Sequence, residues 1–310
     1  MMKLGFLFSG QGSQAVGMGK SFYDSSPAVR EMFDRAEEAL GIPIKKYMFD
    51  GPEEMLTRTD VTQPSICLVS LAALSLATSR GISAVAACGH SLGEYAALVS
   101  AGVVDPLAAV RVVARRGRAM QDAADRERGK MAAVVGLSIE SVHAALNGVP
   151  GVQVAAHNAP DQVVLSGEAA AVDAAVEKMK PAGAKNSVVL KTSGAWHSHL
   201  MESAKAPLKE AIESVRRAAP RIPVVANATA EPFPLSDPAA VTELLVRQLT
   251  SPIRFVECLQ KMRSMGVDAF VELGPGKVLR GLVKKFDRGI AAYSIEDMAS
   301  LEETAKAVAA

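Results

Sequence analysis

The chain has 310 residues, an apolar share of 49% and a formal net charge of +1. Those figures suit one large domain or two, at roughly 100–200 residues per domain, and exclude a disordered chain. With no lysine- or arginine-rich block, there is no electrostatic footprint for nucleic acid or an anionic membrane. Cys67, Cys88 and Cys258 lack the spacing of a zinc site or a disulfide framework, which points to a reducing, cytoplasmic setting. The apolar run in Met1–Phe8 is too short for a signal peptide. The longest apolar stretch, Ile66 to Thr78, falls short of the roughly 20 residues that span a bilayer. A soluble protein is expected, and a monomer is compatible with the sequence.

Leu4–Phe8 reads as a buried strand ending in the loop Ser9-Gly10-Gln11-Gly12-Ser13-Gln14. Gly17-Met18-Gly19-Lys20-Ser21 imitates the end of a phosphate-binding loop. Gln14 stands where G-x-x-x-x-G-K-S needs its first glycine, so nucleotide binding is not expected. Helical periodicity covers Ala28–Leu40 and Ser65–Arg80. Val85–Cys88, then Gly89-His90-Ser91-Leu92-Gly93, then an alanine-rich run to Ser100 read as strand, sharp turn and helix. That is the context the G-x-S-x-G nucleophile elbow requires. The glycines remove Cβ clashes from the tight turn, and the Ser91 hydroxyl is presented at a helix N-terminus, where free N–H groups can receive an oxyanion. Asp105-Pro106 supplies an N-cap and first residue for a helix running to about Asp122. Strands interleaved with such helices predict an α/β domain with a mainly parallel sheet.

The pattern changes after Asp125-Arg126-Glu127-Arg128. Met131–Leu137 (strand), Ile139–Leu146 (helix), Val152–Ala156 (strand), a turn at Pro160-Asp161, Val163–Ser166 (strand), Ala169–Met179 (helix) and Ser187–Lys191 (strand) follow in order. This β-α-β-β-α-β series predicts a ferredoxin-like small domain, residues 129–195, inserted into a large domain made of 1–128 and 196–310. Val224–Ala226 and Phe270–Leu273 return strands to the main sheet, and the tail adds the apolar segment Ile290–Ile295 and a helix from Ser300.

A nucleophilic serine needs a base, and there are five histidines. His90 is adjacent to Ser91 and is expected to support the turn. His143 is expected on a solvent-facing helix side, and His157 ends a small-domain strand. His197 and His199 lie where the small domain rejoins the large one, a place where clefts form. His197, behind the bulky Trp196, is preferred, with His199 the open alternative. No aspartate stands out as the acid of a Ser-His-Asp triad; a backbone carbonyl can orient the ring instead.

Gly10-Gln11-Gly12-Ser13-Gln14, Thr62-Gln63-Pro64, Gly89-His90-Ser91-Leu92-Gly93-Glu94, Arg116-Gly117, Asn158-Ala159-Pro160, His197-Ser198 and Gly274-Pro275-Gly276 together resemble malonyl-CoA:acyl-carrier-protein transacylases. The motifs stand in the family's order and span essentially the whole chain. The resemblance implies a hydrolase-like α/β domain with a ferredoxin-like insertion. It implies Ser91 as nucleophile, His197 as base, and Gln11 with the Leu92 backbone N–H as oxyanion hole. Arg116 would hold the free malonyl carboxylate by two parallel hydrogen bonds. Arg115 competes for that role, but a helix turns about 100° per residue, so only one arginine can face the site. Gln248 matches the position whose main-chain carbonyl orients the histidine. Asn158 is expected near the acyl group or as a cap on the strand-to-turn step. Gln63 and the Gly274-Pro275-Gly276 turn are expected to shape the site, and Glu94 to favour its helix N-terminus.

The implied reaction is ping-pong transfer from malonyl-CoA to the phosphopantetheine thiol of acyl carrier protein, with no metal or other cofactor. Fatty-acid synthesis is the default pathway; a polyketide or malonate decarboxylase system needs much the same residues. Lys185, Lys205, Lys284 and Lys285 are candidates for a carrier-protein patch. A tryptophan at 196 would narrow the acyl pocket against a branched group, or pack away from it. An acyl-carrier-protein hydrolase is the first rival reading, and a non-catalytic docking module the second; Arg116 speaks against the former, and the presence of Ser91, His197 and Gln11 against the latter.

Overall fold

The computed structural model describes residues 2–309. Its strands are β1 (Leu4–Phe8), β2 (Ala86–Gly89), β3 (Gly129–Val135), β4 (Val152–Ala159), β5 (Gln162–Glu168), β6 (Asn186–Val189), β7 (Val224–Val225), β8 (Ala269–Leu273) and β9 (Ala291–Ile295). They form two sheets, ordered β7-β2-β1-β8-β9 and β4-β5-β3-β6. Every pairing in the first sheet is parallel, and every pairing in the second is antiparallel. The burial of every residue of β1, β2 and β8 is what a parallel sheet covered on both faces demands. The fold is thus the expected α/β arrangement with a separate antiparallel unit, whose β-α-β-β-α-β order matches the sequence reading.

The antiparallel unit has its own small core of Val134, Leu137, Val142, Val154, Val163, Leu165, Ala175 and Met179. It is fastened to the large sheet's side where Ile253 N donates to Ala155 O (2.9 Å) and His157 N donates to Ile253 O (2.9 Å).

Several boundaries differ from the sequence reading. The helix expected from Ser65 begins at Thr59 and runs to Ser79, with Pro64 inside it. A proline near a helix start forfeits only one N–H bond, and Thr62 Oγ1 and Ser65 Oγ donate to the carbonyls of Leu56 (2.5 Å) and Val61 (2.8 Å) around it. This helix is long and apolar enough to cross a membrane, but 78% of its apolar window is buried inside the protein. It reads as a core helix. Strand β4 continues through Asn158 and Ala159, so Asn158 lies in the strand and does not cap a turn. Helices Pro238–Arg247, Phe255–Ser264 and Val278–Phe286 were not read from the sequence. The first carries the same signal as Asp105-Pro106: Asp237 caps it, with Pro238 at the first position.

The Gly274-Pro275-Gly276 turn does not line the site. Gly274, at φ +132°, has room for no Cβ, which would stand 2.7 Å from Ser9 Oγ and 2.5 Å from Ser70 Oγ. The turn therefore backs the loop that carries Gln11. Beside it, Glu272 accepts from Leu279 N (3.0 Å), Arg280 N (2.8 Å) and Ser9 Oγ (3.2 Å), tying the start of a helix to β8. Burial pushes its carboxyl up to about 7, against those donors. A carboxyl raised in the folded state contributes stability below its unfolded value that is lost as pH rises through the folded one. The chain should lose on the order of 3 kcal/mol of stability from this group between pH 4.5 and 8.5. Glu272→Gln should flatten that part of the unfolding-versus-pH curve; an unchanged slope would show that the carboxyl ionises freely.

Candidate active site

Adjacent parallel strands align their carboxyl ends, and ligands of open α/β sheets bind there. In register, Phe8 of β1 faces Gly89 of β2, and Cys88 faces Val225 of β7. The loops that follow these strands therefore bring Gln11, Ser91 and Asn227 side by side.

Ser91 occupies the elbow at φ +54°, a left-handed conformation uncommon for a residue with a side chain. Both flanking glycines are required by contact. A Cβ on Gly89 would stand 1.9 Å from the Gly93 carbonyl carbon, and one on Gly93 would stand 2.3 Å from Phe8 O. Asn227 braces the turn: Ser91 N donates to its Oδ1 (2.8 Å), and its Nδ2 donates to Gly89 O (2.8 Å). No signal in the sequence marks Asn227, which lies in the turn after a two-residue strand and 136 positions from Ser91. Asn227→Ala would strand a buried N–H and a buried carbonyl, so its unfolding free energy should fall by roughly 3 kcal/mol in a urea titration. An unchanged midpoint would mean that the elbow holds itself.

Ser91 Oγ lies 2.8 Å from His197 Nε2. His197 Nδ1 donates to the Gln248 main-chain oxygen (2.9 Å), which leaves Nε2 as the lone-pair acceptor for the serine hydroxyl. Both residues are buried. His197, also left-handed at φ +59°, is held by Gln153, whose Nε2 donates to His197 O and Thr250 O at 3.1 Å each. Gln153 is a second residue the sequence reading missed. Burial, and then the Arg116 charge, push His197 down to about 3, so its imidazole is neutral in the free protein. His199 is exposed and lies 3.7 Å from Glu168, whereas His197 is the histidine beside Ser91.

Arg116 is fully buried, whereas Arg115 is exposed on the helix Pro106–Arg126. Arg116 Nη1 donates to Gln63 Oε1 (2.7 Å), and Nη2 donates to Ser91 Oγ (2.9 Å) and Gln248 Oε1 (2.9 Å). All three acceptors are uncharged, and Arg116 Nε has no partner. Its neighbour Gly117 leaves no space for a Cβ, which would stand 2.6 Å from Thr59 O.

The Gln11 side chain is spent on the scaffold: Nε2 donates to Thr59 Oγ1 (3.1 Å), and Oε1 accepts from Gln63 Nε2 (3.3 Å). An oxyanion-hole role for Gln11 therefore falls to its main-chain N–H. His90 supports the turn as expected, its Nε2 donating to Asn158 Oδ1 (2.8 Å) and its ring lying edge-on to Phe255. Glu94 stands in the first turn of helix Gly93–Ser100, as its sequence position implies, and is a buried group accepting from Asn227 N (2.5 Å) and Gln248 Nε2 (2.5 Å). Burial pushes its carboxyl up to about 8, against the Asn227 N–H, the Arg116 charge and the Gln248 amide.

Ser91, His197, Gln63 and His90 line a cavity of about 620 Å³, whose wall also includes Gln11, Asn158, Met120, Met131 and Trp196. Of the four lysines, Lys285 Nζ donates to Gln162 Oε1 (2.6 Å) and Lys185 packs on Gly136, whose N–H donates to Asp161 O (2.8 Å). Lys185 and Lys285, with neighbouring Lys284, thus flank the turn beyond Asn158, while Lys205 is paired with Glu202 (2.7 Å).

The acyl transferase domain family matches residues 5–302. A malonyl CoA-acyl carrier protein transacylase of Bacillus subtilis is 40% identical over 97% of this chain and 96% of its own. The crystal structure of MCAT from Streptococcus pneumoniae superposes with a TM-score of 0.93 at 39% identity, covering 98% of this chain and 100% of the other. A malonyl-transacylase solved in complex with a type II PKS acyl-carrier protein gives 0.93 at 36% identity over 98% and 99%.

Proposed function

The chain belongs to the acyl transferase domain family, and from that premise we propose that it moves a malonyl group from malonyl-CoA to the phosphopantetheine thiol of an acyl carrier protein through a malonyl ester on Ser91. The malonyl transfer follows the relatives at this level of identity. One observation supports both the acyl ester and its charge. A buried guanidinium with only neutral partners lies 2.9 Å from the serine hydroxyl. An unpaired buried charge is costly, and a carboxylate on the acyl group offsets that cost, whereas an apolar acyl chain does not.

In this reading His197 Nε2 takes the Ser91 proton as Oγ attacks the thioester carbonyl. The main-chain N–H groups of Leu92 and Gln11 receive the oxyanion. Collapse breaks the C–S bond, and His197 returns the proton to the departing coenzyme A sulfur. The carrier thiol then attacks the ester by the same steps in reverse. Gln248 orients the histidine through its carbonyl, and Arg116 exchanges Ser91 Oγ for the malonyl carboxylate, with Gln63 and Asn158 lining the acyl group. Trp196 narrows the pocket against branched acyl groups. Lys185, Lys284 and Lys285 offer the carrier protein a basic rim. Residues 129–195 form the inserted domain, a division supported by their separate apolar core. The three buried, unpaired cysteines suit a cytoplasmic setting, and fatty-acid synthesis is the pathway assigned.

Intact-mass measurement after brief exposure to malonyl-CoA tests the proposal. A malonyl adduct that disappears on addition of holo-carrier protein is expected; free malonate without transfer would indicate a hydrolase. The acid limb of kcat/KM offers a second check. With His197 held down to about 3, the base stays unprotonated as pH falls from 7 to 5, so no limb should appear in that range. A limb near 6.5 would mean that the histidine titrates as if exposed.

A further inference from the structure

Glu94 is the one buried acid in contact with the site, and the reaction as written gives it no step. Its two oxygens face two donors: Oε1 receives the Asn227 main-chain N–H, and Oε2 receives Gln248 Nε2, each at 2.5 Å. Gln248 Nε2 also donates to Ser91 O (2.9 Å), which points the amide oxygen at Arg116 Nη2 (2.9 Å). An amide turned about its last bond would aim N–H at N–H there. The orientation is therefore fixed by the acceptors at the other end, Ser91 O and Glu94.

Resting on the malonyl reading, we propose that Glu94 is a positioning residue: through the Gln248 amide it holds the Arg116 guanidinium in the pose that selects an acyl group bearing a carboxylate. In its ionised form the carboxylate satisfies both donors with its two oxygens. Burial pushes the carboxyl up, and the same donors and the Arg116 charge favour the ionised form against it. A glutamine at 94 offers one oxygen and one NH2, so one of its contacts becomes donor against donor. The strain then falls either on Asn227, which braces the elbow, or on Gln248, which aims Arg116. Burial disfavours the protonated Arg116, and against it Tyr95 and then Glu94, in their ionised forms, favour that form through space.

The test is a competition: equal malonyl-CoA and acetyl-CoA, with the ratio of the two Ser91 adducts read by intact mass in the wild-type chain, Glu94→Gln, Gln248→Ala and the double variant. Gln248→Ala keeps the main-chain carbonyl that orients His197 and removes only the side chain. The malonyl-to-acetyl ratio is expected to fall about tenfold in each single variant. The double variant should be no worse than Gln248→Ala, because both act through one amide. A residue that merely supports the fold would lower both adducts in parallel with the folded fraction, so a ratio unchanged in Gln248→Ala and in whatever Glu94→Gln protein folds overturns the proposal. Independent, additive losses in the double variant overturn it as well. If the wild-type chain takes up no malonyl group, the malonyl reading itself fails, and that result is distinct from an altered ratio.

Discussion

Ser91→Ala should abolish malonyl loading, reducing it by roughly 10⁴-fold or more, while leaving the cavity and the protein's stability nearly intact. The expectation follows from how little else Ser91 Oγ does. Its contacts are with His197 Nε2, which lines the cavity, and Arg116 Nη2, which keeps Gln248 Oε1 as an acceptor. The elbow is braced through Ser91 N and O, which alanine retains. Alanine even keeps the left-handed strain at φ +54° unchanged in kind. Rapid mixing with malonyl-CoA and intact mass reads the result. A malonyl adduct persisting in Ser91→Ala at the wild-type rate would move the nucleophile elsewhere in the chain.

Arg116→Ala should change which acyl group is taken more than whether one is taken. Losing a buried guanidinium that pairs with a substrate carboxylate costs about 3 kcal/mol of transition-state binding, or roughly 150-fold in kcat/KM for malonyl-CoA. Acetyl-CoA carries no carboxylate to lose, so its loading should hold or rise. The substitution also leaves Gln63 Oε1 and Gln248 Oε1 without their donor, so a modest drop in thermal stability should accompany the switch. Arg115→Ala, on the exposed face of the same helix, should do neither. Equal losses on malonyl- and acetyl-CoA in Arg116→Ala would reduce the arginine to a structural role.

The local signals in the chain proved most legible where one turn or one cap decides the structure. Gly89 and Gly93 flank Ser91 because a Cβ at either collides with backbone, and such collisions leave a mark that a short motif carries. Asp105-Pro106 opens its helix as expected, and Asp237-Pro238 carries the same signal for the helix Pro238–Arg247. Thr59–Pro64 lies outside the apolar periodicity of Ser65–Arg80, and a proline inside a helix gives no local sign that the helix began before it. The roles at Gln11 and Glu94 were only half legible. A glutamine in a glycine-rich loop advertises donors, but the sequence does not say that its side chain is committed to Thr59 and Gln63. A glutamate in a helix's first turn fits a surface charge until its surroundings are known.

By itself the sequence determined the strand–turn–helix at Ser91, the α/β class, the inserted antiparallel unit and which residue types stand ready for acyl transfer, because each rests on periodicity or steric rules acting over a few neighbours. The tertiary structure decided which groups meet. Asn227 reaches the elbow because β7 lies beside β2, His197 is buried against Gln248 while His199 faces solvent, and Glu94 meets Gln248 across 154 positions. Hydrogen bonds and desolvation depend on distance in space, and spacing along a chain does not encode that distance.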